Sequence, residues 1–294
     1  MKNANSFWLI AAAFFFSCMT ITLRYCGQGY FFYDLMFARY LLTSLILLVL
    51  LKLKNISFRT EHPMLIGGRC AFGVLSAAIN TYLVTQLPAA VAQCFNYTSA
   101  FWIVLIFFLT FTIKKIKFPL IVIAPVVVGF SGILVTLNPR MEAISNSMLF
   151  VCTIYGFCAA QSSLFLTRLG KFNESAIRVA FYFSVSSTIF GGVLSLVYGS
   201  DNQLRVLLDP MVWLSVVFLF LYLLSKTYSW EHGNALLNSV FMFLGLPFVL
   251  ILGFLCLDEF PKTHQLVGIA LILTSAVFSY FAVGKHFKSS KGVY

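Results

Sequence analysis

Hydrophobic runs of about 20 residues follow one another along almost the whole of the 294-residue chain, separated by short polar breaks. A run of that length, wound as a helix rising about 1.5 Å per residue, spans the roughly 30 Å hydrocarbon core of a bilayer. Ten such runs occur, at residues 6–24, 30–51, 65–86, 88–111, 118–137, 147–167, 176–198, 210–229, 235–257 and 264–284. Their apolar residues cover nearly every helix face, as expected where lipid replaces water as solvent. The pattern predicts an all-α integral membrane protein of ten transmembrane helices, with no room for a soluble domain. The breaks carry charges or helix-stopping residues, among them Lys52-Leu53-Lys54-Asn55, Leu87-Pro88, Lys114-Lys115-Ile116-Lys117, Asn138-Pro139-Arg140 and Phe260-Pro261-Lys262. Pro88 and Pro210 each suit the first turn of a helix, where a missing N–H costs little. The first run is too long for a signal-peptide core and lacks a small-x-small cleavage site, so it reads as a retained span.

Composition agrees with the pattern. Hydrophobic residues make up 60% of the chain and charged residues 10%, with mean hydropathy +0.93; a soluble domain carries roughly 25% charged residues. The net charge of +11 does not point to nucleic acid, because the basic residues are scattered in short loops rather than gathered in a stripe. They sort by side instead. Alternate segments hold 14 Lys and Arg: Lys2; Lys52, Lys54 and Arg59; Lys114, Lys115 and Lys117; Arg168, Lys171 and Arg178; Lys226; Lys285, Lys288 and Lys291. The opposite set holds only Arg24, Arg140, Arg205 and Lys262. The positive-inside rule then predicts that both termini are cytoplasmic.

The chain also repeats itself weakly. Residues 1–138 hold five spans, residues 146–288 five more, and 289–294 form a short cytoplasmic tail. Gly129-Phe130-Ser131-Gly132-Ile133-Leu134 closes one half as Gly268-Ile269-Ala270-Leu271 closes the other. Copies with an odd number of spans must insert in opposite orientations, which predicts two five-helix inverted repeats.

The segment from Leu255 through Asp258-Glu259-Phe260-Pro261 to Gly268-Ile269-Ala270-Leu271-Ile272-Leu273 resembles the end of the EamA repeat of the drug/metabolite transporter superfamily. Pro247 matches that family's mid-span proline, and Phe37-Ala38-Arg39 resembles its Phe-x-Arg pattern. The first half departs from the family: Lys114-Lys115-Ile116 stands at its span-end glutamate and Ala100 at its span-4 proline. The resemblance covers nearly the whole chain and implies a bacterial inner-membrane carrier. Its members export amino acids and other metabolites or take up compounds such as S-adenosylmethionine. It also implies a central cavity lined by spans 3 and 4 and their second-half counterparts.

Polar side chains within spans are costly and usually face the bundle or a water-filled cavity. Gln93, Asn96 and Tyr97 share one face of span 4, and Trp102 lies about a turn beyond. Span 3 offers Tyr82 and Gln86, with Asn80 nearby. The second half offers Tyr155, Gln161 and Ser162, then Tyr182, Tyr222 with Lys226, and Asn234 with Asn238. Arg39, a third of the way into span 2, suits a substrate carboxylate or the neutralisation of Asp34. The expected substrate site is therefore Arg39, Tyr82, Gln93, Asn96, Tyr97, Trp102, Tyr155 and Tyr222. Amides with aromatic walls fit an amphipathic or zwitterionic solute. Lys226 and Arg69 read as snorkelling residues near span ends. Asp34, Asp209, Asp258 and Glu259 all fall at span edges, so no buried carboxylate relay is expected.

The expected partners are a small-molecule solute and the bilayer, with a homodimer left open and no nucleic acid. No cofactor or metal is expected: the four histidines are far apart, and the seven cysteines, with no Cys-x-x-Cys, read as buried small hydrophobes. No P-loop is present to drive ATP-dependent transport. An intramembrane enzyme acting on a lipid-linked substrate would need clustered carboxylates or histidines, and Asp258-Glu259 is the only adjacent acidic pair. A channel would need a selectivity filter, and nothing here resembles one. A secondary transporter, and no enzyme, is the expectation.

Overall fold

The computed structural model describes residues 2–87, 89–113, 115, 123–137, 146–198, 203–257 and 262–287. Among them there is no strand. In chain order the helices are α1 (Lys2–Asn5), α2 (Trp8–Cys26), α3 (Phe32–Leu53), α4 (Pro63–Gln86), α5 (Ala89–Tyr97), α6 (Ser99–Ile113) and α7 (Ile123–Leu137). They continue with α8 (Asn146–Gly170), α9 (Ala176–Val197), α10 (Gln203–Leu208), α11 (Pro210–His232), α12 (Ala235–Phe241), α13 (Gly245–Leu257) and α14 (Thr263–Phe287). Eight helical segments are long and apolar enough to cross a membrane, counting α5 with α6 and α12 with α13 as one each. The other two apolar runs are helical too: α7 is a shorter apolar helix, and α8 is 25 residues long.

Two spans expected to be continuous are broken. Between α5 and α6, Thr98 turns its hydroxyl back onto the Phe95 carbonyl at 2.7 Å, a bond that competes with the helix ladder and bends it. The second break lies between α12 and α13, where Met242–Leu244 tighten into a 3₁₀ turn. Pro247 follows and cannot donate to the carbonyl four residues before it. The Gly245 carbonyl accepts from Ser17 Oγ on α2 at 2.9 Å. Two further details come from local chemistry. Pro210 opens α11, capped by Asp209 Oδ1, which accepts from Met211 N at 2.8 Å. The short α10 was not foreseen. Pro88, the 138–140 break and the Asp258-Glu259 turn lie outside the described residues.

The principal packing partners are α3 with α9, α2 with α11, α4 with α8, and α7 with α14. Lipid-compatible side chains such as Leu45, Val49, Ile113, Leu196 and Phe281 are exposed on the outside. The α7–α14 crossing is close because of its glycines: a Cβ on Gly132 would lie 2.8 Å from the Gly268 carbonyl oxygen. The two closing segments that look alike in sequence thus pack on each other.

The connecting segments sort to two ends of the bundle. At one end, Arg178 Nε donates to Ser57 O at 2.7 Å, Tyr182 to Phe58 O at 2.8 Å, and Thr60 to Glu174 Oε1. The N-terminal segment joins that end, where Ser6 Oγ accepts from Asn234 N at 3.0 Å. At the other, Arg24 donates to Thr85 O at 2.6 Å and Tyr30 to Asp209 Oδ2 at 2.9 Å.

Candidate functional site

The centre of the bundle holds a cavity with about 440 Å³ of empty space, its mouth included. Its enclosed part is narrow, with room of about 40 Å³ for water-sized spheres. Helices from both halves of the chain line it. On α4 the stripe Arg69, Gly73, Ser76, Ala77 and Asn80 faces inward, a helical spacing of small and polar residues. Opposite stand Tyr155 and Ser162 of α8, and Leu219, Tyr222, Leu223 and Lys226 of α11. Aromatic walls come from Phe16 of α2, Tyr40 of α3 and Phe183 of α9. Phe16 packs against Tyr222 with ring centroids 4.8 Å apart, and Tyr40 meets Phe183 edge-on at 5.5 Å. Asn96 of α5 lies in the wall shared with a second small cavity, bounded also by Tyr97, Tyr222 and Lys226.

Two cations reach this space. Arg69 is 3% exposed; its guanidinium donates through Nη1 to Ser162 Oγ and lies 4.2 Å over the Phe183 ring. Its Nε is buried without a hydrogen-bond partner among the described residues. Gly73 leaves the room it needs, since a Cβ there would collide with Nη1. Lys226, 8% exposed, donates to Tyr222 Oη at 3.1 Å. Neither side chain snorkels outward as the sequence suggested. α11 runs on to His232, beyond the expected end at 229, so Lys226 sits well inside the helix. Asp34 does stand at a helix end, in the first turn of α3, but it is fully buried and accepts from Ser195 Oγ at 2.6 Å; Glu231, in the last turn of α11, is 7% exposed. No Asp or Glu lines either cavity among the described residues.

The expected site residues divide. Asn96, Tyr97, Tyr155 and Tyr222 come together around the two cavities. Tyr155 donates to Asn80 Oδ1 at 2.8 Å, fixing the amide across the α4–α8 contact. Gln93 is fully buried but turns toward α2, donating to Ser17 Oγ at 3.2 Å and accepting from Tyr97 Oη at 3.1 Å. It orients Tyr97 and lies outside the lining. Trp102 packs edge-on against Phe157 of α8 at 5.3 Å. Tyr82 is 41% exposed and leans on Phe32. Arg39 is 1% exposed, its Nε without a partner among the described residues, and it lies outside the lining. Arg69, Gly73 and Ser76 were missed as lining residues. The signal that finds them is the Arg69-Gly73-Ser76-Asn80 spacing, overshadowed by the more conspicuous Tyr82 and Gln86 on another face.

No family model matches the chain. Curated relatives do match, over 292 aligned residues and 95% of this chain. They come from Rickettsia conorii (27% identical, 92% of its length), Rickettsia bellii (25%, 94%) and Rickettsia felis (26%, 92%). All three are named S-adenosylmethionine uptake transporters. A solved crystal structure shares the fold, with a TM-score of 0.73 at 15% identity over 98% of this chain and 100% of that one.

Proposed function

We propose that this chain is a secondary transporter that takes up S-adenosylmethionine, or a closely related amphipathic metabolite, by alternating access. The observation that carries the reading is the central cavity, which takes its lining from helices of both halves and joins buried polar groups to aromatic walls. The relatives' shared name supplies the solute class. Amides and tyrosine hydroxyls suit the polar edges of such a solute, and the rings suit a purine face or a sulfonium.

The reading includes ten spans in two inverted five-helix repeats, residues 1–138 and 146–288, on the drug/metabolite transporter plan. Support comes from the packing. Exchanging the first five spans with the last five turns the α2–α11 contact into α8–α4 and the α4–α9 contact into α11–α3, both of which exist. The α3–α9 and α7–α14 contacts map onto themselves. Both broken spans are then the fourth of their half. Interrupted helices at corresponding positions are where transporters of this kind bind and hinge. Alternating access would rock the halves about the cavity, flexing at Thr98 and at Met242–Leu244.

The end holding Arg59, Arg168, Lys171, Arg178 and the N-terminus is assigned to the cytoplasm of a bacterial inner membrane, from its positive charge. Uptake of labelled S-adenosylmethionine into proteoliposomes, with and without an imposed pH gradient, tests the substrate reading. Saturable uptake, competed by unlabelled compound but not by unrelated amino acids, is expected. Flux no greater than into empty liposomes, from protein shown to be folded, would reject it.

A further inference from the structure

The cavity is polarised along its length. At one level Arg69 of α4 meets Ser162 of α8, and Lys226 of α11, which lines the same cavity, lies close enough to interact electrostatically with Arg69. At another, Asn80 of α4 meets Tyr155 of α8. At about 1.5 Å per residue, the two levels stand roughly 10 Å apart along α8 and roughly 16 Å apart along α4. One end therefore carries two buried cations, and the other carries amide and phenol groups.

Buried cations without a counter-charge are expensive, and an anion seated between them offsets that cost. Here no carboxylate lines the cavity among the described residues, and Glu231 acts on Arg69 only through space. The nearby Glu231 makes no hydrogen bond through either carboxylate oxygen among them. Arg69 keeps Nε unpartnered while 97% of its surface is buried, and Lys226 keeps donors beyond the one used on Tyr222. A planar guanidinium beside an ammonium matches a carboxylate, which accepts from both through its two oxygens.

Resting on the transporter reading, we infer that Arg69 and Lys226 form a carboxylate subsite. The solute lies lengthwise in the cavity, its carboxylate against these two cations and its ring system among Asn80, Asn96 and Tyr155. The site thereby selects solutes with a free carboxylate at one end of an elongated, partly aromatic body. Phe16, Tyr40, Tyr222 and Phe183 give the same cavity aromatic walls for the body of the solute.

The test compares S-adenosylmethionine with its α-carboxamide, which keeps the size and removes the anion, as competitors of labelled S-adenosylmethionine on purified protein. The amide is expected to compete about tenfold or more weakly, the worth of one charge-assisted contact. In Lys226→Gln and Arg69→Gln that discrimination collapses toward unity, Lys226→Arg retains it, and Lys54→Gln at the surface leaves it unchanged. Equal competition by acid and amide on wild-type protein that does carry the acid overturns the subsite and leaves the transporter reading standing. If S-adenosylmethionine is neither bound nor carried, the substrate reading fails. The subsite is then judged by thermal stabilisation with L-methionine against L-methioninamide. Greater stabilisation by the acid, lost in Lys226→Gln, upholds the subsite, and equal or absent stabilisation overturns it.

Discussion

The central cavity and the α7–α14 seam are built on opposite principles. The seam is apolar and close-packed. Gly132 and Gly268 bring two backbones together, Ser275 Oγ of α14 donates across the seam to Pro125 O of α7, and Thr136 Oγ1 donates to Gly132 O within α7. In the absence of a hydrophobic force between helices in lipid, such small-residue packing is what holds a bundle. The cavity instead gathers two cations, amides and tyrosines around space, and Arg69 Nε has no partner among the described residues. On the proposed function, stability and transport are separated in space, and substitutions at the two places should differ in kind.

The largest effect should come from the seam. Gly268→Leu would drive a side chain into the Gly132 carbonyl and Thr136, costing about 3 kcal/mol. Monodisperse protein in detergent should be largely lost, read by size-exclusion chromatography and thermal unfolding. A well-folded Gly268→Leu protein would break the contrast. Next comes Tyr155→Phe in the cavity, which removes one hydrogen bond to Asn80. A fall in stability of roughly 0.6 kcal/mol is expected, together with a higher KM for uptake. The smallest effect belongs to Tyr82→Ala. Its ring is exposed beside Phe32, away from the cavity, so uptake should stay within about twofold of wild type. Loss of uptake there would move the site to the other face of α4.

Much of this contrast was legible in the sequence, though unevenly. Run length and apolarity determine where helices form, since the backbone in lipid has no other partner, and all ten runs are helical in their described parts. The breaks at Thr98 and at Met242–Leu244 were not foreseen. They arise from a hydroxyl bonding its own helix and from Pro247 acting on carbonyls upstream, and a hydropathy window averages over both. The cavity was half visible. Asn96, Tyr97, Tyr155 and Tyr222 stood out as amides and phenols in apolar runs, and the fold brings them together. Arg69 and Lys226 were read as snorkelling residues because each lies a few positions from an expected span end. Whether such a residue turns outward or inward depends on the partners it finds: Ser162 and Phe183 of neighbouring helices hold Arg69, and Tyr222, one turn back on α11, holds Lys226. Tyr82 misled for the same reason, since spacing groups residues on a face without saying which face is inside.

The central claim is that the cavity is the transport site, and the most direct measurement is initial-rate uptake of labelled S-adenosylmethionine into proteoliposomes by wild type, Asn96→Ala and Tyr222→Ala. Each variant is first matched for folded, inserted protein. The account predicts saturable uptake by wild type and a loss of about tenfold or more in kcat/KM for both variants, from lost binding contacts. Undiminished saturable uptake by both would place the transport path elsewhere in the bundle and contradict it.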